Sequence, residues 1–191
     1  MMKKMTFLIV MLFAMLTCTA PEITEDLRQK NGDKALAEIS RIETEKKQAE
    51  EFQRFVDQLR AKESPDWTKV NEIGCMGWFQ FHPATLASMG YGYITVKSFK
   101  ADPYIFPPEM QLRLLEELIK ANEHTLRNYM SYIGTEINGI VITKAGLIAG
   151  AHLGGAGGVI KYLRSEGRSN PKDMNNTSIQ DYISHFQGYN M

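Results

Sequence analysis

Two neighbouring stretches decide how this chain is read: Leu59-Arg60-Ala61-Lys62-Glu63-Ser64-Pro65, and Gly74-Cys75-Met76-Gly77-Trp78-Phe79-Gln80-Phe81-His82-Pro83-Ala84-Thr85. The first reads as the end of a helix. Pro65 lacks the backbone N–H that another turn needs, and it biases Ser64 away from helical geometry. Glu63 therefore sits in the last helical turn, beside the apolar turn of Phe55 and Leu59. The second stretch brings glycines and aromatic rings close behind it. The stretch is read with its rings half in the core and half at a cleft, Phe79 on the side opposite Trp78 and Phe81. A carboxyl against an aromatic, water-poor wall has its ionised form penalised, so it can carry a proton nearer neutrality. Such a group protonates a poor alkoxide leaving group in glycosidic-bond cleavage. Taken singly, Glu63 reads first as a solvated carboxylate at a helix end, as glutamates there commonly are.

Outward from these stretches the pattern is helical. Upstream, Leu36, Ile39, Ile42, Ala49, Phe52, Val56 and Leu59 recur at helical spacing over residues 33–60. The charged run IETEKKQAEE at residues 42–51 makes the early half a solvated helix and leaves its end to pack. Residues 22–31 show no apolar period and read as a tether. Downstream, Pro108 and Glu109 open a helix that continues to Tyr132, with Leu112, Leu115, Ile119, Leu126 and Tyr129 on one side. Thr143 is placed as the N-cap of a helix over residues 144–152, which Gly154-Gly155 breaks and residues 157–164 resume. Residues 179–186 form a last short helix, and residues 91–96 are the only β-rich run. The expected fold is mainly α: a charged helical stalk or linker over residues 21–50, then a helical domain over residues 51–191. The stalk reads as a spacer or as a partner-binding coiled coil.

Composition bounds the rest. The chain has 191 residues, 43% hydrophobic and 23% charged, enough for one globular domain with appendages. Lys and Arg number 22, as do Asp and Glu, so the balance calls for neither nucleic acid nor an anionic membrane. Four His and two Cys are too few for a structural zinc module or a disulfide scaffold. Lys3-Lys4, the apolar run FLIVMLFAML at residues 7–16 and the small residues Thr17-Cys18-Thr19-Ala20 follow the order of an export signal over residues 1–20. At ~1.5 Å per residue that run covers about half of a bilayer core, which argues against a permanent span. Cleavage before Cys18 with lipid attachment there is the other processing route, and a lipid anchor at Cys18 is then the sole membrane contact. Either route makes the protein exported, periplasmic or anchored in the cell envelope, and leaves Cys75 without a partner in the chain.

In chain order, Glu63-Ser64, then Gly74-x-x-Gly77-Trp78-Phe79-Gln80-x-x-Pro83-x-Thr85, then Ala149-Gly150-Ala151-His152-Leu153-Gly154-Gly155-Ala156-Gly157-Gly158-Val159 resemble the lytic transglycosylases and goose-type lysozymes. Those enzymes carry an E-S pair, a G-x-G-L-M-Q-x-x-P-x-T-like segment and an A-x-Y-N-x-G-x-G-x-V-like segment. The resemblance covers residues 52–186. It implies a lysozyme-like helical domain that cleaves the β-1,4 bond between N-acetylmuramic acid and N-acetylglucosamine in peptidoglycan, as a lytic transglycosylase or muramidase, with no cofactor and no metal. By that resemblance Glu63 is the single acid/base. It protonates the glycosidic oxygen, then accepts the proton of the muramyl 6-hydroxyl as an anhydro ring closes. Ser64, Gln80, Phe81, His152 and Tyr182 are the implied substrate-binding set, with Phe81 offering a face to sugar CH groups and Tyr182 touching acid or substrate. Glu72 is the alternative acid. Hydrolysis needs a water-activating group, for which Asp66, Glu72 and Asp102 stand open.

The chain departs from the family where His152-Leu153 replaces Tyr-Asn and Trp78-Phe79 replaces Leu-Met. A second reading follows: a lysozyme-like protein without catalysis that binds peptidoglycan glycan strands or anchors an envelope apparatus through its N-terminal helix. The glycine run at residues 154–158 lacks a following Gly-Lys-Ser/Thr, so it reads as close helix packing and not a phosphate loop. His82, His124, His152 and His185 stand at no ligand spacing. Cys75 reads as a small packed residue.

Overall fold

A computed structural model of the chain describes the backbone of residues 2–189 and the side chains of residues 29–189. It is mainly helical. Six α-helices, α1 (Met2–Glu63), α2 (Pro83–Ser88), α3 (Val96–Ala101), α4 (Pro108–Leu126), α5 (Lys144–Arg164) and α6 (Ile179–Phe186), are joined by 3-10 turns at Pro103–Ile105 and Arg127–Tyr132. A small hairpin pairs β1 (Glu136–Ile137) with β2 (Ile140–Val141). The side chains of the export segment, Cys18 among them, lie outside the described residues.

The chain forms two compact units that divide between Lys47 and Gln48. In the first, every described side chain is exposed, including Leu36, Ile39 and Ile42. Arg41 pairs with Glu38 and Glu45 along one face, the spacing at which helical ion pairs add a few tenths of a kcal/mol each. The tether expected at residues 22–31 is not a break, since α1 runs through it. Its Glu, Leu, Arg, Gln and Lys residues are good helix formers, and they outweigh the missing apolar period.

In the second unit burial begins at Phe52, and Phe55, Val56 and Leu59 enter a core with Phe79, Phe81, Phe99, Phe106, Leu114, Leu115 and Phe186. A second core gathers Leu126, Ile142, Leu147, Val159, Tyr162, Ile179 and Ile183. Helix α5 serves both, Ile148 and Ala149 facing the first and Leu147 and Ala151 the second. Thr143 caps it through Oγ1, which accepts from Gly146 N at 3.1 Å. Gly155, at φ 70° and ψ 160°, splits it in two. The glycines let α6 lie close: a Cβ on Gly154 or Gly158 would come within 2.7 Å of Ile179 Cδ1.

The β-rich run at residues 91–96 forms no strand. Ile94 N–H closes a turn onto Tyr91 O, and Thr95 opens α3 in a capping box with Ser98. Strand pairing falls instead around Asn138-Gly139, whose φ values of 52° and 77° give the twist that hairpins need. Gln111, fully buried on α4, brackets the connecting loops. Its Oε1 accepts from Trp78 N at 2.7 Å, and its Nε2 donates to Phe106 O at 2.8 Å and Trp67 O at 3.0 Å.

A chain beginning at Gln48 is expected to keep cooperative melting, its helical far-ultraviolet circular dichroism reduced only by the part of α1 removed, because that segment buries no described side chain. Loss of the cooperative transition would show that the stalk belongs to the core. Gly77→Ala combines φ +79° with a clash against the Gln111 carboxamide. It is expected to cost about 1–3 kcal/mol, read as a lower urea midpoint at unchanged m.

Candidate active site

A cleft of about 490 Å³ opens in the second unit. One wall is the loop that carries Lys69, Asn71, Glu72, Ile73, Cys75 and Gln80. The other is the turn Asp173, Met174 and Asn175, and Glu63, His152 and Leu153 complete the lining.

Glu63 is the last residue of α1, and its side chain is 15% exposed. Oε1 accepts a hydrogen bond from Tyr182 Oη on α6 at 2.5 Å. Oε2 makes no hydrogen bond among the described residues, so it is the oxygen left for a ligand. The helix dipole opposes a negative charge at a helix C-terminus, and Arg60 and Lys62 in the same turn offset that cost. Lys62 Nζ also lies 4.9 Å from the centre of the Tyr182 ring. Burial, then the adjacent Glu63 charge, push the Tyr182 phenol far above its ordinary value. Tyr182 is therefore a permanent donor to the carboxyl.

The second stretch turns back on itself. Met76 and Phe81 exchange backbone hydrogen bonds at 3.0 and 2.9 Å, and Gln80 within that turn adopts φ 47°. A left-handed non-glycine costs of order 1–3 kcal/mol, and such residues cluster at functional sites. Gln80 Nε2 donates to Gly77 O at 2.7 Å, which leaves Oε1 as a cleft acceptor. Asn71 Oδ1 shapes the same wall by accepting from Cys75 N at 2.8 Å and Ile73 N at 3.1 Å. On the opposite wall, Asp173 Oδ1 accepts from Thr177 N at 2.7 Å and Asn175 N at 2.9 Å.

Of the residues singled out in the sequence, Glu63, Gln80, His152 and the alternative acid Glu72 come together at this cleft. Ser64 does not. It is 1% exposed, and its Oγ closes a turn, donating to Asp66 O at 3.0 Å and accepting from Asp66 N at 3.1 Å. Phe81 is also placed differently from the expected sugar face. It is buried among Phe79, Phe106 and His152, on the same inward side as Phe79. Tyr182 stands behind Glu63, itself buried. Among the groups considered for activating water, Asp66 binds Thr68 N and Oγ1, which lower its pKa, and Asp102 caps Tyr104 N. Glu72 alone of the three lines the cleft. The sequence reading missed Asn71, Asp173, Met174 and Asn175. The Asp-x-Asn-Asn spacing signals a tight turn at residues 173–176, but nothing local says that the turn faces Glu63.

Among the described residues no group of three His, Cys, Asp or Glu side chains could hold a metal ion. Compared with known protein families, curated proteins and solved structures, the chain has no match.

Burial pushes the Cys75 thiol up, and the Glu63 charge adds to this against a hydrogen bond from Asn71. The thiolate is the reactive form, so alkylation of Cys75 by iodoacetamide is expected to be slow at pH 7 and to keep climbing beyond the ordinary thiol range near ~8.5. A rate already at its plateau at pH 7 would contradict this environment.

Proposed function

We propose that the second unit is a divergent lysozyme-like domain, exported through residues 1–20, that cleaves the N-acetylmuramic acid to N-acetylglucosamine bond of peptidoglycan glycan strands. The observation that carries this reading is Glu63, a cleft-lining carboxyl with one oxygen fixed by a buried phenol and the other unengaged. This geometry suits a single acid/base. Oε2 protonates the glycosidic oxygen as the bond to C1 breaks. Tyr182 Oη–H then stabilises the carboxylate through Oε1, a hydrogen bond to a charged group worth ~1.5–3 kcal/mol. The muramyl 6-hydroxyl attacks C1, its proton passes to Glu63, and a 1,6-anhydro ring closes with Glu63 restored. Gln80 Oε1 supplies an acceptor for a sugar amide N–H or hydroxyl. Glu72 is the cleft group available to activate water if the outcome is hydrolysis.

One observation favours the second reading, a glycan-binding protein without turnover. Leu153 lines the cleft where the family carries a polar Asn, and His152 Nε2 is engaged by Phe79 O. In that case the N-terminal helix is the surface that meets an envelope partner.

Glu63→Gln keeps an acceptor for Tyr182 but cannot deliver a proton. It is expected to lower muropeptide release by ~10²–10⁴-fold at unchanged melting temperature, with Glu72→Gln much less affected. Loss in Glu72→Gln with activity kept in Glu63→Gln would move the acid to Glu72. Wild-type protein that pulls down with peptidoglycan yet releases nothing would establish the binding reading.

A further inference from the structure

His152 lies on α5 with its side chain 8% exposed. Its Nε2 is 2.8 Å from Phe79 O and 4.0 Å from Glu63 Oε1. A carbonyl oxygen only accepts, so Nε2 carries the proton and donates it. Nδ1 is buried with no hydrogen-bond partner. Packing alone does not account for such a group, because an apolar side chain of similar size would fill the space without an orphaned nitrogen.

What the imidazole does is join two parts of the cleft. Phe79 O belongs to the peptide that precedes Gln80, the residue at φ 47° whose Oε1 is left for substrate. Pinning that carbonyl fixes the plane from which the strained residue departs. The same N–H lies beside Glu63 Oε1, the oxygen already bonded to Tyr182, and not beside the unengaged Oε2.

We propose that His152 is a positioning residue whose Nε2–H holds the Gln80 turn in register with the Glu63 carboxyl and marks Oε1 as the structural oxygen. Its role is internal to the site and replaces the sugar contact that the motif comparison would give it. The inference rests on the proposed glycan cleavage.

The test compares the wild-type full chain with H152L, H152Q and E63Q. Leu removes the donor. Gln offers an amide N–H at comparable reach. H152L is expected to lose about 10²-fold in kcat, the scale of a misplacement near 1 Å, with KM for soluble glycan fragments changed only a few-fold. H152Q is expected to recover most of that loss. Wild-type kcat in H152L, or equal loss in H152L and H152Q, would overturn the proposal. Should H152L not fold, nitrogen-15 NMR of the wild-type chain decides. Protonated Nε2, bare Nδ1 and an Nε2–H signal that shifts in E63Q are expected, and an Nδ1–H tautomer would overturn the proposal. E63Q separates the two levels. Full activity there removes Glu63 as the acid on which the proposal rests, whereas an inactive E63Q beside an unaffected H152L removes only the role of His152.

Discussion

The hydrogen bond from Tyr182 Oη to Glu63 Oε1 joins side chains 119 residues apart in sequence, and several features of the second unit meet its geometric demands. Helix α1 has to end at Glu63, which Pro65 and the Ser64–Asp66 turn enforce. Helix α6 has to lie low enough for a phenol to reach that end. The glycines of α5 allow this, since side chains at Gly154 or Gly158 would displace Ile179. The start of α6 is held by a reciprocal cap, Ser178 with Asp181, whose hydrogen bonds keep the Asp181 carboxyl below its ordinary range. Removing any of these supports leaves the part-buried Glu63 carboxyl without its donor.

The walls of the cleft are built by polar side chains that satisfy backbone groups and so are spent before a ligand arrives. Gln111 uses both ends of its amide on three loop positions. Asn71 and Asp173 each accept from two backbone N–H groups on their own wall. Among the polar atoms left over are Gln80 Oε1 and Glu63 Oε2. A site prepared in this way loses little conformational freedom on binding.

The helices were legible because their signals are local: Thr143 as a cap, Pro108 as an opening, Gly155 as a break, and the onset of packing near Phe52. Residues 91–96 were read as the only β-rich run on composition alone, and the hairpin signal Asn138-Gly139 went unread. Ser64 and Phe81 were read as cleft residues because a motif gives order along the chain without side-chain direction. Phe81 faces inward with Phe79, and the Ser64–Asp66 turn consumes the Ser64 hydroxyl. Gln111 and the turn at residues 173–175 were invisible for another reason, since their partners lie on distant segments or across a cleft that no periodicity encodes.

The proposed cleavage requires one carboxyl to serve both proton transfers, and its product would carry the record of that chemistry. Mass spectrometry of the soluble fragments released from purified peptidoglycan by residues 21–191 reads it directly. Fragments ending in 1,6-anhydromuramyl residues are the predicted result. Fragments with reducing muramyl ends would show that water is the nucleophile and that a second group, with Glu72 in position, shares the work. The absence of any released fragment would contradict catalysis at Glu63 altogether.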